Sequence, residues 1–191
     1  CSFDMLGEGA RTAEDAERYF KSYQSAIHRV GEGCMGSDVR HNHNVSVKLS
    51  ALHPRFTESQ RARCLPALQE KVLILAKLAK GYGMGMSLDA EECSRLELSM
   101  DVFQWLCSHP ELTDWNGLGF VLQAYQKRSM EVAKWLVTLA TSRQSGFMVR
   151  LVKGAYWDTE IKIAQQQGLD DYPVFTDKSH TDLSYEACMH T

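Results

Sequence analysis

Five short apolar runs with turn residues at their edges recur along the chain, each followed by a stretch of helical periodicity. They are Phe3–Gly7, Val45–Ser50, Met84–Asp89, Gly117–Tyr125 and Phe147–Tyr156, and their starts are 42, 39, 33 and 30 residues apart. Intervals of that size are too long for hairpins and right for crossover helices, which makes the strands parallel. Five β-α repeats and one more short helix therefore predict an α/β fold, either doubly wound or closed as a barrel.

Strand parity favours the barrel. A strand in an open parallel sheet is covered on both faces and is apolar on both. Here Val45, Val47 and Leu49 alternate with Ser46, Lys48 and Ser50, and Met84, Met86 and Leu88 alternate with Gly85, Ser87 and Asp89. Leu118, Phe120 and Leu122 alternate with Gly119, Val121 and Gln123, and Arg150 stands within the fifth run. The polar positions fall toward the C-terminal ends of the strands, where barrel enzymes build their sites. A (β/α)8 barrel takes about 31 residues per unit, so five units are about five-eighths of one.

The helical stretches carry their own signals. Thr12 is placed to cap the first, with Tyr19, Tyr23, Ile27 and Val30 as its stripe and Gly31 as its stop. Thr57 and Gln60 have capping-box spacing before a helix that Pro66 interrupts and Gly81 ends. Leu96, Met100, Phe103, Trp105 and Leu106 mark a third, ending before Pro110. Val132, Leu136, Leu139 and Ala140 mark a fourth, stopping by Gly146. Ile161 and Ala164 anchor a fifth, and Leu183, Ala187 and Cys188 the last.

Composition narrows the function classes. Of 191 residues, 44% are hydrophobic and 21 cations face 24 anions, a net charge of −3 that disfavours disorder and leaves no basic footprint for nucleic acid. The apolar run Val72–Ala76 is far short of the ~20 residues of a membrane span. The six cysteines are irregularly spaced without a C-x-x-C pair, the pattern of reduced thiols in a cytosolic protein.

Two places can carry chemistry. Lys48 and Asp89 share the polar face of neighbouring strands, and a lysine among small residues inside a barrel needs an anionic partner or ligand. In Val149–Trp157, Arg150 and Lys153 lead into Gly154 and a helix start, a setting that suits a phosphate or pyrophosphate, with Tyr156 and Trp157 as flat surfaces for a ring system. A weaker signal is His41-x-His43, a spacing that puts two imidazoles on one strand face. It precedes the second strand, at the end of a barrel where sites are rarely built, and reads as a loop. Gly81-x-Gly83-x-Gly85 precedes a strand rather than following one, so it is not a dinucleotide fingerprint.

Several stretches together resemble one family. Ser2–Glu8, Val45–Arg55, Leu88–Glu92, Phe120–Arg128 and Arg150–Trp157 are similar, in this order, to the proline dehydrogenase domain of the bifunctional proline utilization A flavoenzymes. The resemblance implies a (β/α)8 barrel holding FAD that oxidises L-proline to Δ1-pyrroline-5-carboxylate. It implies that Lys48 meets the substrate carboxylate, that Asp89 lies beside flavin and substrate, and that Tyr156 packs on the proline ring. Gln123 would bond the flavin ring, and Arg150 and Lys153 would serve the flavin and its phosphates. Ala90, Val152, Gly154, Ala155, Trp157 and Thr176 would complete the cofactor site. Asp4 and Glu8 would gate the substrate by pairing with two arginines. No metal is implied.

On this resemblance the chain is the N-terminal and middle part of the barrel, ending before its last three strands and the helix that bears the paired arginines. The expected continuation includes a pyrroline-5-carboxylate (aldehyde) dehydrogenase domain. A membrane quinone is the expected electron acceptor, with the enzyme cytoplasmic or peripheral at the inner membrane face. Two other functions compete: a metal-dependent barrel hydrolase using His41 and His43, and a catalytically silent fragment lacking the clamp arginines.

Overall fold

A computed structural model of the chain describes residues 1–5, 7–36, 38–143 and 145–191. Five parallel strands, β1 (Ser2–Asp4), β2 (Asn44–Val47), β3 (Gly85–Leu88), β4 (Leu118–Gln123) and β5 (Met148–Val152), pair strictly in chain order. A doubly wound sheet would reverse its order at a switch point; this one never does, and it curls as part of a barrel. The helices are α1 (Ala13–Gly31), α2 (Arg61–Gly81), α3 (Leu96–Ser108), α4 (Ser129–Ser142), α5 (Trp157–Gln166) and α6 (Lys178–Met189).

Each strand is shorter than its apolar run. The run at Val45–Ser50 stops pairing at Val47, and Leu49–Ala51 folds into a 3-10 turn. The run at Phe3–Gly7 pairs only as far as Asp4, and its Leu6 lies outside the described residues. Buried side chains continue past the last ladder bond because the C-terminal loops pack on one another. Alternation is kept within the strands: Val45, Val47, Met86, Leu88, Phe120 and Leu122 are buried toward the helices. The inner face carries Ser46, Ser87 and Gly119 instead, and a Cβ on Gly119 would sit 2.3 Å from the Ser87 hydroxyl. Small residues are what a narrow barrel interior admits at that level.

α1 starts as its sequence indicates. The Thr12 hydroxyl accepts the Asp15 N–H at 3.0 Å, and the Asp15 carboxylate accepts the Thr12 N–H at 3.2 Å, a reciprocal capping box. Its buried stripe is Ala16, Phe20, Tyr23 and Ile27, so Tyr19 and Val30 lie on its flanks rather than at its centre. Gly31 ends it for a packing reason, since a Cβ there would meet the Tyr82 ring at 2.3 Å.

Three helix expectations need correction. Thr57 and Gln60 form no capping box: Thr57 heads a 3-10 turn over Glu58–Gln60, its hydroxyl 3.2 Å from Ser59 Oγ, and α2 begins only at Arg61. Pro66 does not interrupt α2, which runs to Gly81, although at the sixth position the ring removes an i−4 bond and crowds the i−4 carbonyl. In α6 Thr181 and Ser184 are buried and Cys188 packs half-buried against the core as expected, whereas Leu183 is 66% exposed. The Ser184 and Ser129 hydroxyls, 2.8 Å apart, join α6 to α4, so a polar contact helps to fix the helix beside the packing of Cys188.

The main core lies between sheet and helices. At its centre Phe103 is fully buried, with ring centroids 5.1 Å from Phe120, 5.1 Å from Phe147 and 6.5 Å from Trp135. α3 thereby fastens β4 and the start of β5, the strands that carry Gln123 and Arg150.

Candidate active site

The C-terminal strand ends bring five charged side chains to one place. β1 ends on Asp4, Lys48 and Asp89 each stand one residue beyond β2 and β3, and Arg150 points inward from β5, in register with Val121. Lys48 Nζ lies 3.0 Å from Asp4 Oδ2, 3.1 Å from Asp89 Oδ2 and 4.0 Å from Glu8 Oε2. Arg150 Nη2 donates to the other Asp89 oxygen at 2.7 Å. The side chains of Lys48 and Asp89 are only 12% and 13% exposed, so the pair is held mostly out of water. Burial opposes the charged ammonium, but the carboxylates of Asp4 and Asp89 outweigh it and hold Lys48 above the ordinary lysine range.

The β4 and β5 ends add oriented polar groups. Gln123 is buried; its amide N–H donates to the Glu91 carbonyl at 2.9 Å, and its carbonyl accepts the Ala155 N–H at 3.1 Å. The Tyr156 hydroxyl donates to Glu8 Oε2 at 3.0 Å. Burial, reinforced by the Glu8 carboxylate, pushes that phenol well above its usual range. Asp4, Lys48, Asp89, Ala90, Gln123, Arg150, Val152 and Ala155 line, with Tyr156, a cleft of about 340 Å³. A second cleft of about 320 Å³ lies beyond the β5 end between Tyr125, Trp157, Phe175 and Thr176. Lys153 and Gly154 line both, so the two clefts are neighbours. Lys153 faces the second cleft, its ammonium 2.5 Å from Asp182. Trp157 opens α5 and donates from its indole to the Phe175 carbonyl at 2.9 Å. A larger groove, about 520 Å³ around Asp38, Arg40 and Asn116, lies at the opposite end of the strands and gathers no comparable set.

The residues that the family resemblance named lie in or beside these two clefts, whereas His41 and His43 do not. The residues that sequence reasoning missed support the site from behind. The Lys48 N–H donates to the buried Tyr23 hydroxyl at 3.1 Å, which sets the point where β2 releases Lys48. Burial pushes the Tyr23 phenol up to about 12 from 10.0. The neutral phenol is favoured in the folded state, so this stabilisation is complete below pH 10 and is lost as pH climbs from 10 toward 12. Over that window the loss is on the order of 2–3 kcal/mol, at 1.36 kcal/mol per pH unit. Urea unfolding at a series of alkaline pH values checks this: Tyr23→Phe, less stable at pH 8, should lose less over the same window. An equal loss in both proteins would contradict it.

The histidine pair does not form a site. His41 is on an exposed turn 3.7 Å from Asp38, while His43 packs edge-on against Phe3 with ring centroids 5.3 Å apart. Among the described residues no three His, Cys, Asp or Glu side chains are grouped to hold a metal ion. The hydrolase alternative finds no support in this geometry.

A family model described as proline dehydrogenase matches residues 1–191. The chain is 51% identical over 187 residues to the bifunctional protein PutA of Klebsiella aerogenes, covering 98% of this chain and 14% of that protein. It is 52% identical over 184 residues to its counterpart in Rhizobium meliloti, covering 96% of this chain and 15% of that one. A crystal structure of a Bradyrhizobium japonicum proline utilization A variant superposes with a TM-score of 0.95 at 53% identity, over 98% of this chain and 19% of that one. The chain thus spans about a seventh of the length of the curated relatives it matches. With five parallel strands in barrel order and likeness along its whole length, it belongs to the proline dehydrogenase family.

Proposed function

We propose that these residues form the substrate and flavin side of an FAD-dependent proline dehydrogenase, which converts L-proline to Δ1-pyrroline-5-carboxylate. The observation that carries this reading is the Lys48 ammonium, nearly buried beside Asp89 and Arg150, in one cleft with the polar side chain of Gln123 and the ring of Tyr156. A buried cation at the strand ends of a barrel suits a small carboxylate substrate, because charge-assisted bonds are strongest where water is excluded. Lys48 holds the carboxylate, and Asp89 and Asp4 keep Lys48 charged and aimed. The Tyr156 ring packs on the pyrrolidine, and Glu8 fixes the tilt of that ring through the phenol.

The two neighbouring clefts fit an extended dinucleotide. Gln123 offers an amide edge to a ring system, Arg150 and Lys153 offer cations, and Trp157 and Thr176 line the outer part. Ala90, Val152, Gly154 and Ala155 would border the bound cofactor. FAD, when bound, supplies the hydride acceptor. One C–H bond beside the proline nitrogen breaks, its electron pair leaves with the hydride, and the N–H proton passes to water as the C=N bond forms. The chain's residues contribute position and charge, the largest part of such a step.

Three further βα units would complete the barrel. Val149 is 47% exposed, and Phe147, Val149 and Leu151 line an apolar groove beside β5 that such units would cover. The longer protein would pass its product to a pyrroline-5-carboxylate dehydrogenase domain, in line with relatives named bifunctional, and return electrons to a membrane quinone from the cytoplasmic face. None of the described helices is long and apolar enough to cross a membrane.

The test is flavin retention and turnover. Full-length protein containing these residues should stay yellow through gel filtration and reduce an artificial dye with L-proline; a colourless protein with no proline-dependent reduction overturns the reading. Gly154→Ala is expected to weaken FAD binding at least tenfold. The residue adopts φ +143°, and an added Cβ would lie 2.5 Å from the Tyr125 ring, so the wall common to both clefts has to move. Titration of stripped protein with FAD measures it, and unchanged affinity would show that this wall does not touch the cofactor.

A further inference from the structure

The loops after all five strands are joined by one run of hydrogen bonds, and a glutamate that takes no part in the site sits in its middle. The Gly9 N–H, after β1, donates to Ser50 Oγ at 3.0 Å, and the Ala10 N–H donates to the Ser50 carbonyl at 2.8 Å. The Ser50 N–H, after β2, donates to Glu91 Oε1 at 3.0 Å. Glu91, after β3, accepts the Gln123 side chain of β4 on its backbone carbonyl, and Gln123 in turn accepts the Ala155 N–H after β5. The Glu91 side chain is 1% exposed, and its other oxygen takes Arg95 Nη1 at 2.6 Å. A buried carboxylate is costly unless every lone pair is used, and this one is spent on fixing loops.

We propose that Glu91 and Ser50 are positioning residues that hold the Gly7–Ala10 segment, and with it Glu8, in register with Gln123 and Ala155. The reading rests on the proposed proline dehydrogenase activity. Gly7 and Gly9 both have positive φ, at +118° and +66°, so the segment has little stiffness of its own. Besides the Tyr156 contact of Glu8, the described polar ties of Gly7–Ala10 to the other loops are the two bonds to Ser50 and the long Lys48–Glu8 approach. Loosening Ser50 or Glu91 therefore releases the substrate side. It leaves the flavin side in place, because Gln123 is held by the Glu91 backbone rather than by its side chain.

The experiment uses full-length holoenzyme with Ser50→Ala, Glu91→Gln and the double variant. Two readouts are taken: steady-state kinetics with L-proline, and backbone amide hydrogen exchange of peptides covering residues 7–11. Each single variant should raise KM about tenfold with kcat and flavin content within twofold of wild type, and should speed exchange in residues 7–11 about tenfold. Because both act on one connection, the double variant should add little to either single one. Ser50→Ala removes one oxygen and leaves the Glu91–Arg95 pair intact, so it decides the matter if Glu91→Gln does not fold. Unchanged KM together with unchanged exchange in residues 7–11 of Ser50→Ala overturns the proposal, as does lowered thermal stability with wild-type KM. If wild-type protein oxidises no proline, the functional reading fails, and the exchange measurement still tests the tether alone.

Discussion

Lys48→Met is expected to lower kcat/KM for L-proline at least a thousandfold while the protein stays folded and keeps its flavin. Three factors of ten amount to about 4 kcal/mol of transition-state stabilisation, within the range for removing one partner of a desolvated charge pair. The fold should tolerate the change. Asp89 retains Arg150 at 2.7 Å, and Asp4, about half exposed, is free to take up water. What is lost is the one ammonium between Asp4, Glu8 and Asp89, and the cleft becomes a cluster of carboxylates that repels an anionic substrate. Steady-state kinetics with flavin content measured alongside checks this. A decrease under tenfold would mean that Lys48 only braces β1, β2 and β3.

Phe103→Ala should destabilise the fold by about 3–5 kcal/mol, the range for truncating a fully buried aromatic side chain. Against a typical domain stability of 5–15 kcal/mol this is a large share. The ring touches aromatic partners on β4, on α4 and just before β5, so the cavity opens where three elements meet. Because Phe147 leads into β5, the same change should loosen Arg150 and reduce flavin occupancy. Leu183→Ala is the matched control. That side chain is 66% exposed on α6, and its removal should cost less than about 0.5 kcal/mol. Urea unfolding followed by circular dichroism compares the two, and similar midpoints would contradict the packing described.

Alternation carries most of what is legible in the sequence. Period-two patterning alone places Lys48 and Asp89 on one face, and in the fold their side chains meet at 3.1 Å. The same pattern does not tell where the strands stop, because Leu49 is buried in a 3-10 turn and not by the ladder. Beyond those ends parity has no meaning. Glu91 lies beyond such an end and is not singled out from the sequence, although its side chain is the most buried of the carboxylates paired in the described residues. Arg150 stands out in sequence, with Lys153, as a partner for an anionic ligand; its bond to Asp89 spans 61 residues and emerges only from the register of β3, β4 and β5. On α6 the apolar residue Leu183 suggests a buried position, yet it is exposed and Ser184 is buried beside it.

Anaerobic mixing of full-length holoenzyme with L-proline tests the central claim most directly. The cluster around Lys48 and the paired clefts predict that the flavin's visible absorption bleaches fully, with one Δ1-pyrroline-5-carboxylate formed per flavin reduced, and that Lys48→Met shows no bleaching at the same proline concentration. A wild-type flavin that stays oxidised in saturating L-proline, or a Lys48→Met flavin that bleaches equally fast, would contradict the account.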